Sequence, residues 1–468
     1  MISESKKALF EKCGVPSAVF RLAFPNVIGQ IILVVYNMTD TFFVGLSGND
    51  AMLTAVTVCM PAFMLLSAIS NLFGVGGAST VARAMGSHSP GQAKAASSFA
   101  FWGCITVTLL YSAGTYLAMD VFVDALGGTH ADVHENASEY LLCTVVAGGA
   151  ATSVSILLSH LIRSEGRSVH ASIGIALGGL MNIALDPLFM FRILPPGKEA
   201  LGAAIATTLA NIASVIYFIV VLIRIRKKTL LFFLPLRSAL RRDLVADILA
   251  SGLPACVMTL FENVSYAVLD NLMSLCGLAM QAGIGVAKKV NMLAHCIVRG
   301  IAQGSLPLIA YNYSARNYDR MRESVRVSRI FAIGTATACM IVNLVFARSL
   351  IGLFIHHSSD SLRYGEAFLK ILCIGGPFSA GAYTVISFFQ ATGEGRQSFQ
   401  LAILRKGIVD IPLMFLLQKV IPVYGIVLAT PLADAACCLI ADIKLQAYTH
   451  RLPESSLTIL EEAAMIHD

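Results

Sequence analysis

Long apolar runs broken by short polar stretches dominate the whole chain. Runs near 19–45, 52–82, 96–119, 138–163, 168–191 and 201–224 form a first set, and runs near 247–275, 281–311, 326–348, 365–391, 398–419 and 425–448 form a second. Each carries the ~20 mostly apolar residues that a helix needs to cross the hydrocarbon core of a bilayer. The pattern therefore predicts an all-α membrane protein of twelve transmembrane helices in two sets of six. The apolar run after Lys6, Lys7 and Lys12 continues too far, and without a small-residue cleavage site, to be a removed signal; it reads as a retained first span.

Charge adds a direction. Basic residues collect in alternate loops: Lys6, Lys7 and Lys12; Arg83 and Lys94; Arg163 and Arg167; the stretch Arg224 to Arg242; Arg316 to Arg329; Arg396, Arg405 and Lys406; and Arg451. The opposite loops are poor in bases, and the 120–139 loop is acidic. The positive-inside rule then puts both termini and the central linker in the cytoplasm. An inner (plasma) membrane location in a bacterium or archaeon is expected.

Composition agrees: 56% of the 468 residues are hydrophobic and 13% charged, against roughly a quarter charged in soluble domains. A soluble enzyme, a disordered regulator or a nucleic-acid partner does not fit such a chain. The eleven cysteines lack a Cys-x-x-Cys pair and mostly sit in apolar runs, as expected of small reduced apolar side chains rather than disulfides or a zinc site.

The two sets repeat each other. Ser164-Glu165-Gly166-Arg167 is echoed by Gly393-Glu394-Gly395-Arg396, and Phe24-Pro25 by Leu253-Pro254, both pairs at the same offset along the chain. Leu201 to Thr207 resembles Tyr424 to Thr430, and Asp186-Pro187-Leu188 loosely matches Ile411-Pro412-Leu413. Six spans per repeat give both halves one orientation, a parallel repeat of the kind that transporters use. The expected divisions are an N-terminal lobe (1–228), a cytoplasmic linker (229–246), a C-terminal lobe (247–450) and a cytoplasmic tail (451–468).

Ionisable residues inside spans are costly and mark candidate sites. Asp40 lies in span 1 within Tyr36-Asn37-Met38-Thr39-Asp40. Asn182 and Asp186 are four apart in span 5, on one helical face. Thr207 sits early in span 6. These are hard oxygen donors suited to a small cation or a proton relay. The residues alone leave a second reading open, that each acid sits wet near a span end. In the second half Glu262 is the deepest acid, with Asp270, Asp410 and Asp434 also in spans; Lys288 and Lys289 either snorkel or meet an acid or substrate. Asp434 reads as a hydrogen-bonding group and His295 as a packed or cavity histidine. Pro25, Pro61, Pro254 and Pro307 interrupt spans at comparable places.

Tyr36 to Gly45, Met181-Asn182-Ile183-Ala184-Leu185-Asp186-Pro187-Leu188-Phe189, Gly202 to Thr207 and Gly304 to Tyr313 together resemble the multidrug and toxic compound extrusion (MATE) transporters, in their prokaryotic branch. The resemblance covers about residues 17–448. It implies two six-helix lobes around a central cavity and export of lipophilic, often cationic, compounds by a cation-coupled antiporter with alternating access. Carried over by residue, it implies coupling of a proton or a sodium ion at Asp40, Asn182, Asp186 and Thr207, and a gating bend at Pro25. Tyr36, Asn37 and Lys288 become candidate cavity contacts. Glu262 matches a glutamate that other branches use, but the aspartate that accompanies it is absent from span 10. No cofactor is implied, and the partners are small lipophilic or cationic substrates and the bilayer around a monomer.

Two rivals share the pattern. A flippase for lipid-linked sugars would need several cavity bases for pyrophosphate, and the spans offer few (Lys288, Lys289, Arg299). A membrane-embedded enzyme would need a clustered nucleophile or metal motif, and none is evident.

Overall fold

The computed structural model describes residues 8–46, 50–127, 131–233, 240–355 and 359–453, and among them every regular element is helical. Lys6 and Lys7, part of the central linker (234–239) and the expected tail beyond residue 453 lie outside the described residues.

The first half comprises α1 (Val15–Leu46), α2 (Asp50–Gly86), α3 (Pro90–Leu117), a short α4 (Met119–Leu126), α5 (Ala131–Leu141), α6 (Gly149–Ser164), α7 (Ser168–Leu188) and α8 (Glu199–Arg224). The second comprises α9 (Arg242–Cys276), α10 (Leu278–Ser314), α11 (Tyr318–Gly352), α12 (Ser359–Ile374), α13 (Gly376–Thr392), α14 (Gly395–Ile403), α15 (Ile411–Val420) and α16 (Tyr424–Thr449). Among the described residues nine helices are long and apolar enough to cross a membrane alone. Two further spans are bent: α5 and α6 meet at 49°, and α12 and α13 at 42°. The remaining run, α14 to α15, is interrupted by a π turn at Leu404–Asp410 that carries Arg405, Lys406 and Asp410. Twelve crossings are reached by counting it. Large apolar side chains such as Leu110, Val345 and Leu439 cover the outside, a surface suited to lipid and costly in water.

The repeat is visible in the packing. Each bend falls in the fourth span of its half and at a glycine. A Cβ on Gly148 would lie 2.5 Å from Thr208 Oγ1, and one on Gly375 would lie 3.0 Å from Pro431 Cα. Thr208 and Pro431 hold matching places in α8 and α16, just after the Thr207 and Thr430 already aligned by sequence.

The halves meet along two equivalent seams, α1 with α10 and α2 with α9. Both use glycines, because only a bare Cα lets backbones come this close. A Cβ on Gly252 would lie 1.8 Å from Leu72 O, and one on Gly76 would lie 2.2 Å from Ile248 O. The other seam repeats this with Gly304 at 2.6 Å from Ala23 Cα and Gly300 at 2.8 Å from Val27 Cα. Hydrogen bonds fasten the seams: Asn26 Nδ2 donates to Gly300 O (2.7 Å), Asn71 Nδ2 to Thr259 Oγ1 (3.0 Å), and Arg83 pairs with Asp247 at 2.9 Å. All these contacts lie in the half of the molecule that carries the basic loops. Pro25 sits in the first seam, one residue before Asn26, where its missing N–H leaves the turn of α1 at Arg21 without its usual bond.

The linker is stitched to the same end. Glu165, of the repeated Glu-Gly-Arg motif, accepts from the Thr229 hydroxyl (2.9 Å) and from Leu230 N (2.6 Å), while Ser97 and Ser98 donate to Phe232 O.

A side chain at Gly252 must displace the Leu72 backbone. Gly252→Leu is expected to penalise the closed seam by about 1–3 kcal/mol of overpacking. Spin labels on Ser87 and Arg316, with the native cysteines replaced, should then report a longer and broader distance than in the parent. An unchanged distance distribution would show that the seam does not depend on the glycine.

Candidate functional site

The candidate site of the first half is built from α1, α7 and α8. Small residues let these helices converge: a Cβ on Gly174 would lie 2.2 Å from Phe218 Cζ, and one on Gly179 would lie 3.1 Å from Tyr36 Cδ1. Close packing here buries the polar groups instead of leaving them wet. Asp186 is 0% exposed, Asn182 1% and Asp40 8%, so the reading of both acids as wet span ends is overturned.

As their spacing predicted, Asn182 and Asp186 share a face. Asn182 Nδ2 donates to Asp186 Oδ1 (3.1 Å) and to Thr207 Oγ1 (3.2 Å), which spends both amide protons and joins α7 to α8. Asn182 Oδ1, Asp186 Oδ2 and Asp40 Oδ1 are then left buried with no hydrogen-bond partner. Orphaned buried acceptors are expensive, and three in one region are oxygens open to a cation or a proton. Asp40, Asp186, Tyr36 and Tyr140 lie within charge–charge reach of one another. Tyr140, on α5, was not legible as a neighbour because nothing in its local sequence sets it apart. Asn37 Nδ2 is turned back to Leu33 O at 2.7 Å. Among the described residues no group of three or more His, Cys, Asp or Glu is placed to hold a metal ion; the cradle here is two carboxylates, an amide oxygen and a hydroxyl.

The second half differs. Glu262 is not a free acid: its Oε2 meets Arg299 at 2.8 Å. Asp434 does more than bond a neighbouring helix, since Arg405 Nε reaches its Oδ1 at 2.7 Å and Arg405 Nη2 reaches Ser379 Oγ at 2.6 Å. Lys406 pairs with Asp410 at 3.0 Å, and Lys288 pairs with Asp270. His295 is packed beside Ser379. Arg405 and Lys406 had been placed among the basic loops, yet they are 1% and 2% exposed inside this lobe. The expectation failed because Asp434, the partner that makes Arg405 tolerable there, lies on a different span, α16; the i,i+4 spacing of Lys406 and Asp410 was the one local signal. The number of buried bases rises accordingly, but Arg299, Arg405, Lys406 and Lys288 each bond an acid, and Arg405 a serine as well.

The molecule is thus a bilobed, multi-span membrane protein built on a parallel internal repeat, with unneutralised acids in one lobe and ion pairs in the other. The MatE family profile matches residues 25–188 and again 254–416, and the chain belongs to that family. The first match begins at Pro25 and the second at Pro254, its partner in the repeat. Among curated relatives, the multidrug export protein MepA of Staphylococcus saprophyticus is 26% identical over 97% of this chain and 98% of its own length. MepA of Staphylococcus aureus strain MSSA476 is also 26% identical, over 97% of this chain and 98% of its own. Among solved structures, an outward-facing MATE family multidrug resistance transporter superposes with a TM-score of 0.87 over 97% of this chain and 99% of its own, at 21% identity. A transporter from Pyrococcus furiosus described as having a binding pocket of reverse polarity superposes with a TM-score of 0.86 over 97% of this chain and 100% of its own, at 20% identity.

The contrast between lobes has a thermodynamic signature. Asp434→Asn strands a buried guanidinium and is expected to cost about 3–5 kcal/mol. Asp40→Asn and Asp186→Asn remove charges that have no counter-ion, and should hold or raise stability. Thermal unfolding of the three variants in detergent, without sodium, checks the ordering Asp434→Asn well below the parent and the other two not below it.

Proposed function

We propose that this protein is a cation-coupled antiporter that exports lipophilic, often cationic, compounds by alternating access. The observation that carries the reading is the set of three buried, unpartnered oxygens on Asp40, Asn182 and Asp186. The multidrug export function of the MepA relatives supports the substrate class.

With both carboxylates ionised, the N-terminal lobe attracts an organic cation. A proton or sodium ion arriving from the opposite side takes the same oxygens, cancels the charge and weakens the hold on the compound. Mutually exclusive occupation of one acid set is sufficient to link the two fluxes. The basic end faces the cytoplasm on this reading, and the glycine seams close that end, as expected of the outward-facing state. Pro25 lies in the seam that must part for the return and serves as its bend. No cofactor takes part, and one chain in the inner membrane suffices.

The flippase reading loses support from the same geometry. Pyrophosphate needs bases whose charge is not already neutralised, whereas Arg299, Arg405, Lys406 and Lys288 each bond a carboxylate within the lobe; Lys289 bonds no acid among the described residues, and Arg299 Nε and Arg405 Nη1 remain without a partner.

In proteoliposomes, an inward proton or sodium gradient should drive ethidium out against its own gradient, and Asp40→Asn should lower that rate at least tenfold while the protein remains folded and inserted. Because proton and organic cation compete for one set of carboxylates, ethidium affinity should fall as pH is lowered and be restored as it is raised. Full efflux by Asp40→Asn, or affinity that rises on acidification, would contradict the coupling assignment.

A further inference from the structure

The internal repeat places a related set of residues in the C-terminal lobe, with the Asp270 side chain 47% exposed where Asp40 is buried. Tyr36 and Asp40 of α1 correspond to Tyr266 and Asp270 of α9. Asp410 stands one residue before Ile411, which the loose Pro187–Pro412 match sets opposite Asp186 of α7, and is the acid nearest that place; Thr207 of α8 corresponds to Thr430 of α16. These pairs keep their chain order at nearly the constant offset of the repeat. The first-span pairs lie one residue off the offset shared by Pro25–Pro254 and Glu165–Glu394, and the larger departures at Asp410 and Thr430 fall in and after the spans interrupted by π turns, Phe189–Ile193 in one half and Leu404–Asp410 in the other. The residue types are kept at four positions, and the two threonines bridge matching spans by different bonds: Thr207 Oγ1 accepts from Asn182 at 3.2 Å, whereas Thr430 Oγ1 donates to Asp410 Oδ1 at 3.0 Å.

The fifth position is not kept. Asn182 is replaced by Lys406, which again stands at i−4 from the acid. Its ammonium donates to Asp410 Oδ2 at 3.0 Å, and Ser265 Oγ donates to the same oxygen at 2.6 Å. Both carboxylate oxygens of Asp410 are therefore satisfied, where Asp186 has one left over. On the other acid, Lys288 bonds Asp270. The two ammonium groups converge on one ring, with Lys288 Nζ 5.4 Å and Lys406 Nζ 5.9 Å from the Tyr266 centroid. The neighbouring acids Glu262 and Asp434 are already balanced by Arg299 and Arg405.

We propose that Asp270, Asp410 and Thr430 form a second monovalent-cation site that the chain fills with its own ammonium groups, those of Lys406 and Lys288. The C-terminal lobe is then a permanently loaded copy of the N-terminal one, and Lys406 is the residue that confines exchangeable cations to the N-terminal lobe. A tethered ammonium loses little freedom on docking and cannot dissociate into solution, so sodium at ordinary concentrations does not displace it.

The test is a count of exchangeable cations on the purified full chain in detergent: sodium by titration calorimetry, and protons by uptake in weakly buffered solution. Lys406→Asn, which restores the residue of the first half, should bind one cation more than the parent. Lys406→Asn with Asp410→Asn should return to the parental count, and Asp410→Asn alone should leave that count unchanged. In the converse exchange, Asn182→Lys should remove one cation, its ammonium pairing with Asp186. An unchanged count in folded Lys406→Asn, or a lowered count in Asp410→Asn, overturns the proposal, and the second arm decides even if the first variant does not fold. The Asn182→Lys arm rests on the function proposed above and the Lys406 arms do not: a parent that binds no cation, with Asp40→Asn silent, would defeat that function and leave the C-terminal count to be read by itself.

Discussion

A carboxylate out of water must find a counter-charge, and the inner structure of both lobes follows from how that requirement is met. In the C-terminal lobe the partners are covalently part of the chain. Arg299, Arg405, Lys406 and Lys288 each take an acid, and the resulting pairs tie α9 to α10, α10 to its neighbours through His295 and Ser379, and the α14–α15 run to α16. In the N-terminal lobe no base pairs with Asp40 or Asp186 among the described residues: Asp186 accepts from Asn182, which also donates to Thr207, and Tyr36 and Tyr140 stand near both acids. The buried acids of one lobe are paired within the chain, and Asp40 and Asp186 of the other are not.

The second constraint is steric. Two lobes of one fold pack along equivalent seams only if their backbones approach at matching points, and the small residues Gly76, Gly252, Gly300, Gly304 and Ala23 are those points. The bare-backbone contacts are flanked by side chains that the halves share, such as Phe10 stacked on Tyr311 and Leu22 clustered with Leu308, so parting the seam exposes these as well. The polar fasteners, among them Asn26 to Gly300, Arg83 to Asp247 and Arg320 to the Phe10 and Cys13 carbonyls, lie near the basic end, where water replaces them when the seam parts. A seam of this kind suits a molecule that opens and recloses at one end, which is what alternating access asks of it.

Much of this was legible before any coordinates. Span number, repeat and candidate acids follow from hydrophobic run length, motif spacing and the cost of charge in lipid, and the Asn182–Asp186 face follows from helical geometry alone. What could not be read was pairing between distant helices. Arg405 looks like a loop base until Asp434 is seen beside it, and Glu262 looks like a free acid until Arg299 is seen beside it. Sequence separation hides an ion pair whenever its members sit on different spans. The same holds for Tyr140, which joins the acid cluster from a helix whose sequence does not single it out.

Duplication explains why the hidden pairs matter. A duplicated six-span unit begins with two equal cradles, and two exchangeable cations would then be drawn through for every cycle, one on each lobe. Substituting a single lysine for the asparagine that orients the acid removes one of them without unmaking the site, because the ammonium satisfies the same carboxylate that the free ion would. On the proposed reading the lobe that carries Lys406 keeps the packing of a loaded cradle at all times, and the lobe that carries Asn182 alternates between loaded and empty. A difference of one side chain between repeats is then enough to turn a symmetric pair of lobes into a fixed half and a switching half, and the acids left unpaired mark which half switches.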